Sequence, residues 1–298
     1  RRTANPPTSR HWRRVTSTID EYAWVSTAMA ARRAGKQLRR RVVAGQFLIT
    51  RPDRSGAHPV PASISIVIPC LNEVAIAESR LAALQPLREQ GHQLVLVDGG
   101  STDGTLTVAR TLVDRLENSP PGRAVQMNRG ASAAPSNVLW FLHLDTELPP
   151  RAAEAVMTEA LNGPGWGRFD VRLTGRSPML RMIERSMNLR SCLTGIATGD
   201  QGIFVRRDLF EAVGGFPEIP LMEDVAVSKR LKCIVRPACV RLRLTTSSRR
   251  WKNNGIWRTV FTMWFLRAAY QFGADPAILA QIYYPDNRCR EHPSAPRR

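Results

Sequence analysis

Leu94–Thr105, LVLVDGGSTDGT, carries a run of aliphatic residues into Asp98 and then into a loop of glycine, hydroxyl and acidic groups. An unbroken apolar run suits a strand covered on both faces, as in a parallel sheet. Asp98 then falls at the carboxyl end of that strand, where open α/β sheets place their ligands. Ser101, Thr102 and Asp103 offer capping oxygens to a following helix with apolar positions Leu106, Val108, Leu112 and Val113. Two readings of Asp98 stand side by side. It is a carboxylate that accepts from a base or ribose, or it is an acidic turn with no ligand.

The same grammar extends in both directions. SISIVIP (63–69) reads as a strand closed by Pro69, and Glu73–Leu87 as a helix. Thr105–Leu116 is the second predicted helix, and Gly122–Ala134 a turn followed by a third. Asn137–Leu144 is a third strand ending at Asp145, and Pro150–Leu161 another helix. Strand–helix alternation predicts right-handed crossovers and a parallel sheet. Beyond Trp166 the pattern loosens into a strand at Arg168–Thr174, helices at Met179–Ser191 and Asp208–Val213, the strand IFVRR (203–207), and a helix from Leu221 through Lys232.

The chain has 298 residues and a net charge of +18, which points to nucleic acid, an anionic membrane surface or a phosphate-rich substrate. Residues 1–62 hold 13 Lys/Arg against three acids, a net of +10, leaving +8 for the remainder. This front segment reads as a basic extension separate from the fold. Transit-peptide composition and a fragment of an upstream domain both describe it, with a basic helix at Tyr22–Leu48. The predicted organisation is therefore 1–62 extension, 63–250 α/β domain and 251–298 helical tail with a disordered end.

Cys70, Cys192, Cys233, Cys239 and Cys289 contain no CxxC, which argues against a zinc cluster and a disulfide framework. The expectation is reduced thiols and a cytoplasmic setting. No charge-free apolar run reaches the roughly 20 residues that span a bilayer.

Three successive strands end in acidic or amide groups: Asn72-Glu73, Asp98, and Asp145-Thr146-Glu147. Parallel strand ends converge on one edge, and carboxylates gathered there need a cation or hydrogen-bond donors. A hard divalent ion, Mg2+ or Mn2+, bridging a substrate diphosphate supplies that charge. His143-Leu144-Asp145 is the candidate metal site. Asp200, Glu223 and Asp224 follow later; Asp224 in a first helical turn is equally well placed as a dipole-favouring residue.

IVIPCLNE (66–73), VLVDGGSTDGT (95–105), FLHLDT (141–146) and GGFPEIPLMEDV (214–225), in this order, resemble the inverting family 2 glycosyltransferases with the GT-A fold. GRAVQMNRGA (122–131), GDQGIFVRR (199–207) and the segment from Gly255 to Pro276 resemble the bacterial subgroup encoded beside radical-SAM and selenium- or arsenosugar-related genes. The resemblance spans about residues 63–285. It implies a Rossmann-like α/β fold, with a mostly parallel central sheet flanked by helices and a C-terminal helical tail.

It also implies roles. Nucleotide-sugar contacts fall on Pro69, Asn72, Glu73, Asp98, Gly99, Ser101, Asp103, Arg123, Gln126 and Asn128. Glu73 lies near the ribose or base, and Asp98 accepts from a uracil ring nitrogen. Asp145 matches the last acid of the Asp-X-Asp metal motif, and Asp224 matches the general base, which deprotonates an acceptor hydroxyl. Asp200, Gln201, Glu223, Arg250 and Trp251 fall on donor or acceptor loops. His143 stands where the first acid of Asp-X-Asp belongs, and both packing and metal ligation remain open for it. Ser247 departs from the glutamine of a Gln-X-X-Arg-Trp acceptor motif.

The implied partners are a nucleotide sugar, most readily a UDP-sugar, and an unidentified acceptor. No specific nucleic acid is expected. Aromatic residues over 256–270 with Arg258 and Arg267 suit peripheral membrane contact at the inner face, or packing on the domain. A different class also fits the charge: a non-catalytic basic protein of the same fold that binds nucleic acid or membrane. A nucleotidyltransferase would want a Gly-rich basic loop after the first strand, and IPCLNEVAIAE supplies none.

Overall fold

A computed structural model describes residues 63–248 and 255–284. The front extension, the Tyr22–Leu48 segment, Arg250, Trp251, Cys289 and the chain end lie outside the described residues. In chain order the elements are β1 (Ile64–Cys70), α1 (Val74–Ala82), α2 (Gln85–Glu89), β2 (Gln93–Asp98), α3 (Thr105–Ala109), β3 (Arg115–Asn118), α4 (Arg123–Ala133), β4 (Val138–Phe141) and α5 (Ala152–Leu161). The second half holds β5 (Trp166–Leu173), α6 (Pro178–Thr194), a 3-10 turn (Gly199–Gln201), β6 (Phe204–Arg206), α7 (Arg207–Ala212), α8 (Glu223–Ile234), β7 (Ala238–Thr246), α9 (Ile256–Gln271) and α10 (Pro276–Tyr283).

Seven strands form one sheet in the order β3-β2-β1-β4-β6-β5-β7. β3, β2, β1 and β4 run parallel, β6 runs antiparallel to both β4 and β5, and β7 pairs parallel with β5. This is the mixed, mostly parallel α/β architecture expected of the GT-A class. Chain order reverses at β1, which lies between β2 and β4, so the strand ends open a crevice there.

The central strands are apolar throughout because helices cover both faces. Ile64, Ile66, Ile68, Leu94, Leu96 and Trp140 pack with Ala77, Leu81 and Val156 in the main core. On the opposite face α4 approaches closely. A Cβ on Gly130 would lie 2.3 Å from a Val67 methyl and 2.9 Å from one on Val97, so only glycine fits beneath that helix.

Several boundaries differ from the sequence reading. The predicted helix Glu73–Leu87 is two helices, because Pro86 sits in the first turn of α2 and cannot continue α1. The predicted helix Thr105–Leu116 stops at Ala109; Leu112 and Val113 pack on the core from the turn and loop that follow it. β3 (RLEN) and β7 (ACVRLRLTT) escaped the sequence reading, because short or charge-studded edge strands lack a continuous apolar run.

Cys192 and Cys239 are bonded, with Cα atoms 5.8 Å apart. This corrects the expectation of uniformly reduced thiols. α6 and β7 bring together residues 47 positions apart, a proximity that cysteine spacing does not encode. Among the described residues, no helix is long and apolar enough to cross a membrane.

α6 is fixed to the sheet by Asn188. Its side-chain oxygen accepts from the Val171 N–H (2.8 Å), and its amide donates to the Val171 carbonyl (3.0 Å). β6 has only three residues, so β5 would otherwise leave both groups unpaired within the protein. Asn188→Ala is expected to cost about 3 kcal/mol, from two buried backbone groups losing their partners. A urea-unfolding comparison checks this, and a loss below about 0.5 kcal/mol would show that β5 finds other partners.

Candidate active site

Loops at the carboxyl ends of β1 and β4 meet the 3-10 turn, the start of α8 and one face each of α6 and α9. They enclose a cavity of about 870 Å³, within the range of small-molecule sites. Its polar wall holds Asn72, Glu73, Arg123, His143, Asp145, Asp200, Glu223 and Asp224. Its apolar wall includes Met179, Ile183, Met187, Val260, Met263 and Trp264.

The β1 and β2 loops are tied into one unit. The Asn72 N–H donates to Ser101 Oγ (2.8 Å), and Asn72 Oδ1 accepts from the Thr102 N–H (2.8 Å). Asn72 adopts a left-handed backbone (φ 54°), a conformation that asparagine tolerates better than most residues. Asp103 caps two helix starts, accepting from the Val74 N–H (3.0 Å) and the Thr105 N–H (3.0 Å). The Thr105 hydroxyl foremost, with these N–H donors, holds the Asp103 carboxyl below its ordinary range.

Asp98 is buried, and its oxygens turn into this loop. One accepts from the N–H groups of Gly100 (2.8 Å) and Ser101 (2.8 Å). The other accepts a short bond from the Ser101 hydroxyl and a weak one from Cys70 Sγ. Burial, reinforced by Asp98, pushes the Cys70 thiol far up, so it stays protonated. Among the predicted nucleotide contacts, Asn72, Glu73 and Arg123 line the cavity, whereas Pro69, Asp98, Gly99, Ser101, Asp103, Gln126 and Asn128 lie outside its lining.

Gln126 and Asn128 are scaffolding. Gln126 donates from one amide nitrogen to the carbonyls of Cys70 (2.8 Å) and Val97 (2.9 Å), pinning the two strand ends. Asn128 pairs with both backbone groups of Phe216 and fixes the Gly214-Gly215 turn before α8. Gln201 is fully buried, donating to Ser191 Oγ (2.9 Å) and the Phe169 carbonyl (3.3 Å).

Asp224, in the first turn of α8, faces the cavity with both oxygens oriented by backbone. One accepts from the Gly199 N–H (2.8 Å) and the other from its own neighbour Val225 (2.7 Å). His143 packs between the 3-10 turn and Asp145. Its Nδ1 lies 3.6 Å from an Asp200 carboxylate oxygen, and a Cβ on Gly199 would come within 2.8 Å of its Nε2. Burial foremost, and then the charge of Arg123, holds the His143 imidazole toward its neutral form. Asp145 lines the cavity and makes no hydrogen bond among the described residues.

Burial raises the Glu223 carboxyl to about 7, with the Asp224 charge adding to the rise and Arg123 opposing it. Burial works against the Arg123 charge, but Tyr284, Glu223, Asp200 and Asp224 together outweigh it and hold the guanidinium firmly protonated. A carboxyl raised on folding loses stability as pH climbs from its unfolded value near 4.5 through about 7. Glu223→Gln is therefore expected to match wild type near pH 4.5 and exceed it above pH 8 by roughly 3 kcal/mol. Urea midpoints across that range test this; a difference independent of pH would contradict it.

Two cavity residues escaped the sequence reading. Arg190 of α6 received no role from the sequence, and Arg267 of α9 was read only as a flank of an aromatic helix. The available signal was periodicity. Met179, Ile183, Met187 and Arg190 fall on one helical face, as do Ile256, Val260, Met263 and Arg267.

An acid-rich crevice at the reversal point of a mostly parallel sheet, closed by helices, is where α/β folds of this kind place their ligands. The glycosyl transferase family 2 model matches residues 65–214, and the chain belongs to that family.

It is 31% identical over 187 residues to the succinoglycan biosynthesis protein ExoA of Rhizobium meliloti, covering 56% of this chain and 57% of that protein. It is 36% identical over 91 residues to a PGL/p-HBAD biosynthesis glycosyltransferase of Mycobacterium bovis, covering 28% and 36%. The chain thus spans little more than half, or less, of the length of these curated relatives. Among solved structures, glucosyl-3-phosphoglycerate synthase from Mycobacterium tuberculosis with Mn2+, UDP and glucosyl-3-phosphoglycerate aligns at 22% identity and a TM-score of 0.46, covering 61% of this chain and 71% of that one. S. aureus TarS aligns at 17% and 0.48, covering 62% and 60%.

Proposed function

We propose that this chain is an inverting transferase that moves a sugar from a nucleotide sugar, a UDP-sugar first among them, to an acceptor. The observation that carries the reading is the pairing within one cavity of Asp145, without hydrogen bonds among the described residues, and Asp224, with both oxygens oriented. The nucleoside rests on the β1 and β2 loops, with Glu73 toward the ribose and the Asp98 loop beneath the base. Asp98 then acts mainly by shaping its loop, and a direct contact to the base requires exchange of the Ser101 hydroxyl.

Asp224 takes the proton from the acceptor oxygen as that oxygen attacks the anomeric carbon. The Gly199 N–H keeps the carboxylate aimed into the cavity. Arg123 faces the departing diphosphate, where negative charge develops, and supplies fixed positive charge.

The donor set fits a divalent ion of one type. Among the described residues, no cluster of three or more His, Cys, Asp or Glu forms a cage. A Mg2+ or Mn2+ site, however, is commonly built from one or two carboxylates, with substrate phosphates completing the shell. Asp145 would hold such an ion, with His143 packed behind it against Gly199 and Asp200. When bound, the ion would neutralise the leaving diphosphate.

The aromatic face of α9 supports a further placement. Trp257, Phe261, Trp264 and Phe265 are exposed, Arg258 stands beside them, and the suited surface is an anionic membrane interface at the cytoplasmic face. Asp98, Asp145 and Asp224 are all in place although His143 replaces the first acid of Asp-X-Asp, which disfavours the reading of a non-catalytic basic binder.

A thermal-shift panel of nucleotide sugars, with and without Mn2+, tests the donor assignment. Stabilisation by one nucleotide class, enhanced by the metal, is expected. No shift with any nucleotide sugar would overturn it.

A further inference from the structure

α6 and α9 reach the cavity with matched stripes: apolar residues along one face, ending in an arginine eleven positions on. Met179, Ile183 and Met187 meet Ile256 and Val260 at one end, which sets the two helices side by side. Arg190 and Arg267 follow at the inner end, and both line the cavity. Arg190 Nε and one of its Nη atoms are buried without a hydrogen-bond partner among the described residues, as is Arg267 Nε. The two cations repel, and Asp224 is the carboxylate whose charge reaches both. Burial foremost, and this repulsion next, draws the Arg190 guanidinium down to about 10.

Guanidinium nitrogens buried without a partner are costly, and two half-buried arginines carrying them into one cavity suit an anion there. They stand on helices, away from the strand-end loops that carry Asn72, Glu73 and Asp145. Asp224 reaches both arginines as it reaches Arg123 and His143, but Asp145, which acts on His143, acts on neither arginine. We infer that Arg190 and Arg267 form a subsite for an anionic group, phosphate or carboxylate, carried by the acceptor. The inference rests on the proposed transferase reading, since it takes Asp224 as marking the acceptor side. Two guanidinium forks suit a group with several acceptor oxygens. The apolar stripes leading to them would cover the adjoining carbon skeleton of the same acceptor.

The test titrates inorganic phosphate into the full chain by calorimetry at constant ionic strength, alone and at saturating UDP with Mn2+. It then repeats both phosphate and UDP titrations with Arg190→Gln and Arg267→Gln. Phosphate is expected to bind whether or not UDP is present. Each variant should weaken phosphate at least tenfold and change UDP affinity less than threefold. Equal loss of UDP would assign the arginines to the donor diphosphate and overturn the proposal. Phosphate binding that is absent, or indifferent to both variants, would overturn it as well.

A wild-type protein that holds phosphate through both arginines yet ignores UDP would contradict the donor reading while leaving the anion site in place. Removal of an unpaired buried charge should not lower the thermal midpoint. If either glutamine variant fails to fold, Arg190→Lys and Arg267→Lys keep the charge but lose the fork, and should weaken phosphate severalfold.

Discussion

Asp224→Asn is expected to lower sugar transfer about a hundred- to ten-thousand-fold, the range for removing a positioned general base. Asparagine keeps the size of the side chain and an oxygen for the Gly199 N–H, which now donates at 2.8 Å to Asp224 Oδ2. The fold and the nucleotide subsite should therefore survive. UDP affinity should stay within about threefold, because the loss falls on the chemical step. Single-turnover transfer and calorimetric UDP binding separate the two. Parallel collapse of binding and rate would mean that Asp224 shapes the cavity instead of taking a proton.

Asp145→Ala should show a different signature. Its carboxylate faces the cavity without a hydrogen-bond partner among the described residues, so its removal disturbs little packing. Loss of charge stabilisation at the leaving diphosphate is worth several kcal/mol, roughly a thousandfold in rate. The Mn2+ concentration giving half-maximal rate should rise by at least tenfold, a change Asp224→Asn should not produce. A metal dependence left unchanged in Asp145→Ala would contradict the assignment of that carboxylate.

The central sheet was legible because its strands are buried on both faces and read as continuous apolar runs. LVLVD and VLWF could hardly be anything else once helices separated them. β3 and β7 were not legible, since edge strands carry charge where solvent meets them, as Arg241 and Arg243 do in β7. The site divided along similar lines. Residues at strand ends and in the first turn of α8 announce themselves by position, and Asn72, Glu73, Asp145 and Asp224 all reach the cavity.

Proximity in sequence also misled. Gln126 and Asn128 share a helix with Arg123, yet a helical turn carries them beneath the strand ends, where they pin backbone carbonyls and the Phe216 turn. Asp98 sits at the most diagnostic strand end, but its oxygens are engaged by its own loop. Arg190 and Arg267 lay hidden because an arginine on a helix reads as solvated until the opposite wall of a cavity is known.

The decisive measurement is release of nucleoside diphosphate from a panel of nucleotide sugars by the full chain with Mn2+, beside Asp224→Asn. Water is a poor acceptor, so slow release is expected even before the true acceptor is found. The account predicts release from one nucleotide class that depends on metal and falls at least a hundredfold in Asp224→Asn. Release at equal rates by both proteins, or none from any donor, would contradict it.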